Sequence, residues 1–347
     1  MNDKNANHQD AIHALFERMD GIAEQCGDRF PLFRADKSTQ WTLSRRGSWL
    51  GGFWAGLWWL RAAYYGKQND LDIARTWSAR LESSLSEASV NRSFVFWYGA
   101  ASNRACNTGN AIRQLASRAA QAIAVDFDPS MEAWPVGPGM GAGDAGVHRI
   151  NVDALAPTLA LLHGYGDADG ATKANRHLQT CLRHLATDHG AWRTNAVRNA
   201  DGTISRDEAG IWPRGQAWGM LGMAEAVRLY GPSYRNAALQ ACNYWMQRWG
   251  RDQHTENTPP KILDDPSAHA IAAVAMLRLY PLVPDQHWLL RQSHAQIASI
   301  LFSSKIAETG QFVGHLYHTG TDGEQLVESA CATFFLLEAL LSMHGNT

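Results

Sequence analysis

Between Gly210 and Gly219 the chain reads Gly-Ile-Trp-Pro-Arg-Gly-Gln-Ala-Trp-Gly, which sets two indoles, a guanidinium and a carboxamide around glycines just where a helix begins. Each of these groups has a use against a sugar acid. An indole face stacks on the C–H face of a pyranose, a guanidinium holds a carboxylate through two parallel hydrogen bonds, and glycine lets the backbone approach closely. On the residues alone the cluster reads equally as a buried helix start whose tryptophans are core.

The rest of the chain has to position that cluster. Its 347 residues, 45% hydrophobic and 18% charged, are enough for a large core. A net charge of −2 supplies no basic field for a phosphate backbone, which argues against a nucleic-acid partner. Five scattered cysteines without a C-x-x-C spacing argue against a disulfide framework or a zinc ribbon and are read as reduced core thiols. The polar N-terminus lacks a secretory pattern, so a cytoplasmic enzyme is expected. No membrane role is expected either, because even the apolar run from Trp49 to Tyr65 is interrupted by glycines and an arginine. Fourteen tryptophans suit a carbohydrate cleft as well as a core.

Hydrophobic periodicity predicts helices over about 6–25, 50–66, 69–87, 94–106, 110–125, 151–165, 171–187, 215–230, 233–249, 266–280, 286–302 and 326–343, with hardly any alternation of period two. Those opening at Trp49, Phe94, Asn151, Gly215, Ser267 and Val327 are rich in Gly, Ala and aromatics on all sides, as helices enclosed by neighbours are. Their partners, such as Leu71 to Glu87 and Ser233 to Trp249, carry a polar face. An inner ring of buried helices alternating with an outer amphipathic ring is an all-α (α/α)6 barrel of six helical hairpins, here expected as a single domain over 1–347. The long connections 26–48, 126–150 and 188–214 mostly precede inner helices and are expected to converge on one mouth, where helix N-termini favour an anion.

Four segments then resemble, in order and spacing, the unsaturated glucuronyl hydrolases of glycoside hydrolase family 88. They are Trp49-Leu50-Gly51-Gly52-Phe53-Trp54-Ala55-Gly56-Leu57-Trp58, Trp212-Pro213-Arg214-Gly215-Gln216-Ala217-Trp218-Gly219, Asp265-Pro266-Ser267-Ala268-His269-Ala270-Ile271-Ala272 and Phe334-Phe335-Leu336-Leu337-Glu338-Ala339-Leu340. The resemblance implies removal of a 4,5-unsaturated uronic acid from an oligosaccharide by hydration of its vinyl ether. A carboxyl delivers a proton to C4, water adds at C5, and the hemiketal opens to release the remaining sugar, with no cofactor or metal. That chemistry needs a carboxyl kept protonated part of the time.

The sequence departs from the family at its acids. The segment His-Asp-Leu-Gly-Phe of the family is replaced by Phe96-Trp97-Tyr98-Gly99-Ala100, which holds no carboxyl. Aligning the family's second acidic segment on Pro157 puts Asn151 at the aspartate position, and an amide does not serve as the acid. A shift of two residues recruits Asp153, the expected general acid/base, with His148 as the alternative proton donor and Asp144 and Arg149 enlarging the polar cluster. Asp153 also reads as a first-turn aspartate serving the helix dipole. For substrate contacts the resemblance implies Trp49, Trp54, Trp212 and Trp218 as aromatic walls, Arg214 as carboxylate clamp, and Gln216, Ser267 and His189 as further polar contacts.

Asp264, Asp265 and His269, or His315 and His318, have metal-ligand types but no diagnostic spacing, and no metal is expected. Asp265 and Ser267 read first as helix-capping groups. The expected partner is a small acidic oligosaccharide or uronic acid glycoside, and an oligomer stays open. Two other readings remain: a barrel that changed reaction, as a lyase or a hydrolase of saturated uronides, and a carbohydrate-binding protein without catalysis.

Overall fold

The computed structural model describes residues 2–102, 109–250, 265–304, 306–319 and 323–345. In chain order these form α1 (Asn2–Cys26), α2 (Gly51–Tyr65), α3 (Gln68–Arg80), α4 (Arg92–Phe96, prolonged by a π turn over Trp97–Ala101), α5 (Asn110–Val125), α6 (Leu155–Tyr165), α7 (Ala168–Leu185), α8 (Pro213–Tyr230), α9 (Arg235–Trp249), α10 (Pro266–Leu279), α11 (His287–Ser304), the single turn α12 (Ile306–Thr309) and α13 (Ala330–His344). Helices α2, α4, α6, α8, α10 and α13 each pack on the next, and α13 returns to α2. The ring is closed. Around it, α3, α5, α7, α9, α11 and α1 cover the six inner helices in turn, which is the expected all-α barrel.

Composition explains the two layers. Inner helix α10 is buried from Ser267 through Leu277, so it has no solvent face to spend on charge. Outer helix α7 buries Ala174, Leu178, Cys181 and Leu185 at helical spacing and leaves Lys173 and Arg176 on its outer side. Termini are marked locally: Asp265 caps α10, Ser329 caps α13 and Pro213 opens α8, where a missing N–H costs nothing.

The ring closes tightly because glycines meet at its tightest point. A Cβ on Gly52 of α2 would stand 2.5 Å from the Val95 backbone of α4, and Gly99 approaches the same Gly52 from the π turn. The π turn is thus where a bulky chain gives up regular geometry to let two helices touch.

Two small antiparallel sheets were not foreseen. One orders β1 (Phe30–Ala35), β2 (Thr42–Ser44), β6 (Val313–His318) and β7 (Glu324–Ser329) as β2-β1-β7-β6; the other is β3 (Arg149–Asn151), β4 (Asn195–Arg198) and β5 (Ile204–Arg206). Strands of three to six residues are too short to register a period of two, and two of the pairings, β1 with β7 and β3 with β4, join segments far apart in sequence. They correct two helix starts. Residues 326–329, expected as helix, belong to β7, and the helix expected from 151 begins at Leu155, which leaves Asn151 on β3 and Asp153 in the turn. The expected helix over 94–106 lies partly outside the described residues. Because β3, β5 and β7 each run toward an inner helix start, the sheets frame the mouth of the barrel.

Gly52→Ala is expected to destabilise the protein by roughly 1–3 kcal/mol, since the added methyl meets backbone that cannot step aside. Urea unfolding with an unchanged midpoint would contradict this account of the α2–α4 contact.

Candidate active site

Arg214, on the first turn of α8, reaches across to the carboxylate of Asp265 at the start of α10, at 2.5 Å. Its guanidinium lies over the Trp212 indole, 4.7 Å from the ring centre. Asp265 is 1% exposed and also accepts the Ser267 hydroxyl at 2.5 Å, the Ala268 N–H at 3.3 Å and the Leu316 N–H of β6. Burial pushes its carboxyl up from the ordinary range, and Arg214 with these donors opposes the shift.

Asp153 faces the same guanidinium from the turn before α6. Burial raises its carboxyl to about 6, against the pull of Arg214 first and Arg149 second. Neither arginine forms an ion pair with it, and its Oδ1 is buried with no hydrogen-bond partner among the described residues. Asn151, two residues earlier and opposite Asn195 in the sheet, likewise has a buried Oδ1 without a partner. A carboxyl that is half protonated near pH 6 and unengaged by the protein is fitted to proton transfer.

Aromatic groups wall this region. Trp49 packs on Phe94 at 5.8 Å and stacks near Tyr317 at 6.4 Å, donating its indole N–H to that phenol. Trp218 lies deeper, against Phe94 at 5.3 Å and Phe335 at 5.2 Å. His315 is fully buried beside Trp49, with Nδ1 2.6 Å from the Ser329 hydroxyl and Nε2 without a partner. Burial, and then Arg214, hold it well below the usual imidazole range, so the ring is neutral. Sequence reasoning weighed His315 only as a metal ligand and passed over Tyr317. Their signal was the two-residue spacing of His315 and Tyr317 on a strand that had gone unrecognised.

Arg214, Trp212, Asp153 and Trp49 thus come together, while other expected contacts do not; Trp218, 2% exposed against Phe94 and Phe335, is core beneath them. Trp54 is 1% exposed and meets Trp58 and Trp77 edge-on between α2 and the outer layer, so it is core. Gln216 is spent on the scaffold: its amide accepts from the Trp192 N–H and donates to the carbonyls of Gly190 and Ala241. Ser267 is fully buried on Asp265 and acts through it. Asp144, His148 and His189 are exposed on the loops, and no side-chain hydrogen bond fixes any of them among the described residues. Of the metal-type sets, Asp265 is taken by Arg214, His315 by Ser329, and Asp264 lies outside the described residues. Among the described residues no three His, Cys, Asp or Glu groups gather as a metal site.

A ring of paired helices with an arginine, a raised carboxyl and indoles at its mouth defines an (α/α)6 barrel with a polar mouth. No family model matches the chain. A curated relative, the unsaturated glucuronyl hydrolase of Bacillus sp. (strain GL1), is 26% identical over 278 residues, which is 73% of this chain and 72% of that protein. The crystal structure of the Bacillus sp. GL1 unsaturated glucuronyl hydrolase, responsible for degradation of glycosaminoglycan, superposes with a TM-score of 0.80 at 20% identity, covering 98% of this chain and 97% of that one. A substituted UGL bound to dGlcA-Glc-Rha-Glc gives 0.82 at 20% identity, covering 97% of each chain. An unsaturated glucuronyl hydrolase specific for heparin gives 0.80 at 15% identity, covering 99% and 97%. The fold is that of these enzymes, and it agrees with the resemblance carried by the sequence motifs.

The raised carboxyl of Asp153 has a thermodynamic signature. Its folded value of about 6 lies above the ordinary 3.8, so the stabilisation from its proton is present below 3.8 and is lost as pH rises through about 6. Asp153→Asn keeps a neutral side chain there. The variant is therefore expected to match the parent in acid and to exceed it by roughly 1–3 kcal/mol at neutral pH. Parallel pH profiles in urea unfolding would contradict the assignment.

Proposed function

We propose that the protein is a glycosidase that hydrates the C4=C5 vinyl ether of unsaturated uronic acids at the end of small acidic oligosaccharides. The observation that carries the reading is the unengaged, raised carboxyl of Asp153 facing Arg214 between indole walls. The relatives' names agree with it. Asp153 gives its proton to C4, which leaves positive charge shared between C5 and the ring oxygen. Water then adds to C5 and returns a proton to the carboxylate, so the acid is regenerated. The hemiketal formed at C5 opens to a C5 ketone and leaves the former ring oxygen as a hydroxyl on C1. That C1 hemiacetal collapses to an aldehyde, breaking the glycosidic bond and freeing the remaining sugar with the proton. Atoms and charge balance with water as the one co-reactant.

A single carboxyl is enough for this sequence because the same group serves as acid and then as base. That matters here, since Trp97 stands where the family places its other aspartate, and Trp97 is only 8% exposed. The buried, unpaired thiols Cys26, Cys181, Cys242 and Cys331 suit a reducing compartment, in keeping with a cytoplasmic enzyme. No helix among the described residues is long and apolar enough to cross a membrane.

The test is the loss of ultraviolet absorbance of the conjugated double bond on incubation with unsaturated disaccharides. The rate is expected to fall about tenfold per pH unit above pH 6, as the acid form of Asp153 is depleted. In Asp153→Asn it is expected to fall by 100-fold or more. Full turnover in that variant would move the donor elsewhere, and tight binding without turnover would favour a carbohydrate-binding protein. Gain of absorbance from saturated uronides would make it a lyase.

A further inference from the structure

Arg214 is the guanidinium the sequence offers for a substrate carboxylate, yet in the folded protein its charge is already met by Asp265. A second arginine is in the opposite condition. Arg149 lies on β3, is half buried, and among the described residues forms no ion pair and keeps a buried Nε with no hydrogen-bond partner. A guanidinium drawn partly out of water without a counter-charge is costly, and such groups are ordinarily paired.

The backbone that carries Arg149 is fixed. Its carbonyl accepts the Val136 N–H at 2.6 Å, and it stands opposite Val197 in an antiparallel pair. Strand alternation then puts Arg149 and Asn151 on one face and Ile150, 2% exposed, on the other. Both polar residues on that face have a buried atom unsatisfied, as does Asp153 just beyond, and the Arg149 charge acts on the Asp153 carboxyl. Three side chains close together in the chain, one cationic, one amide and one carboxyl, therefore leave a donor and two acceptors unused among the described residues.

We propose that Arg149 is a specificity-determining residue that binds the carboxylate of the uronic acid, with Arg214 held back by Asp265 to shape the pocket. The assignment rests on the uronide reading above. Charge counting supports it. With Asp153 in its protonated form, the two arginines have one carboxylate paired to them among the described residues, Asp265 on Arg214, so one positive charge is in excess and is neutralised by one added carboxylate. A neutral sugar leaves Arg149 buried and unpaired, and the pocket therefore discriminates on charge.

The probes are an unsaturated glucuronyl disaccharide and its methyl ester, with binding measured by calorimetry in Asp153→Asn to suppress turnover. With Arg149 present, the acid is expected to bind roughly 10- to 100-fold more tightly than the ester. Adding Arg149→Met is expected to erase that preference, and Arg149→Lys to keep part of it, since lysine holds a carboxylate as a point charge. A merely structural Arg149 would weaken both ligands alike and leave the ratio unchanged, and that result overturns the proposal. The lysine variant guards against misfolding of the methionine one. Turnover surviving in Asp153→Asn would defeat the proton-donor reading and leave the acid-to-ester ratio still decisive for Arg149. Failure to bind either probe overturns both.

Discussion

The ion pair between Arg214 and Asp265 sets the geometry of the barrel mouth. It joins the first turn of α8 to the cap of α10, and through the Leu316 N–H it also holds β6, which brings His315 and Tyr317 against Trp49. A buried pair gains little unless its remaining lone pairs are filled. Here Ser267 and two backbone N–H groups fill them, and the Trp212 face covers the guanidinium. The charge of Arg214 is felt at Asp153, Asp265, His315, Tyr317 and Cys331, which come from the turn before α6, from β6, and from the starts of α10 and α13.

The proposed chemistry rests on a balance of opposing effects at Asp153. Burial pushes the carboxyl toward its neutral form, and two arginines that stop short of pairing pull it back. A direct ion pair would have kept it ionised and useless as an acid; full exposure would have left it near its ordinary value. The barrel achieves the intermediate condition by giving Arg214 another carboxylate to hold. His315 is kept neutral in the same surroundings, so the mouth gains no further fixed charge from it. The aspartate that the family carries in the segment after α4 begins is absent, and the π turn there is filled by Trp97 and Tyr98. In the proposed reaction, one proton-transferring carboxyl serves both halves.

The ring of helices was legible because enclosure leaves a mark on composition: α10 and α13 are apolar on every side, whereas α7 is apolar on one. The strands were not, since three to six residues, some of them held by distant partners, carry too little local pattern. Among the site residues, Arg214 and Trp212 followed from a dense motif. Trp49 and Trp54 look equivalent in sequence, yet five helical residues turn them about 140° apart, and one faces the mouth while the other is core. Gln216 was unreadable, because the carbonyls it serves, Gly190 and Ala241, come from segments whose approach no local pattern announces. Arg149 was visible only as one more polar group near Asp153. Its lack of a counter-charge is a property of the folded chain.

The central claim is that enclosure by the barrel mouth, restrained by Arg214, holds the Asp153 carboxyl near half protonation close to pH 6. Carboxyl-carbon NMR of protein labelled at aspartate, with Asp153→Asn to assign the signal, reads that titration directly. The account predicts a midpoint of about 6 that moves upward when Arg214 is replaced by methionine. A midpoint near 4 that ignores Arg214 would contradict it.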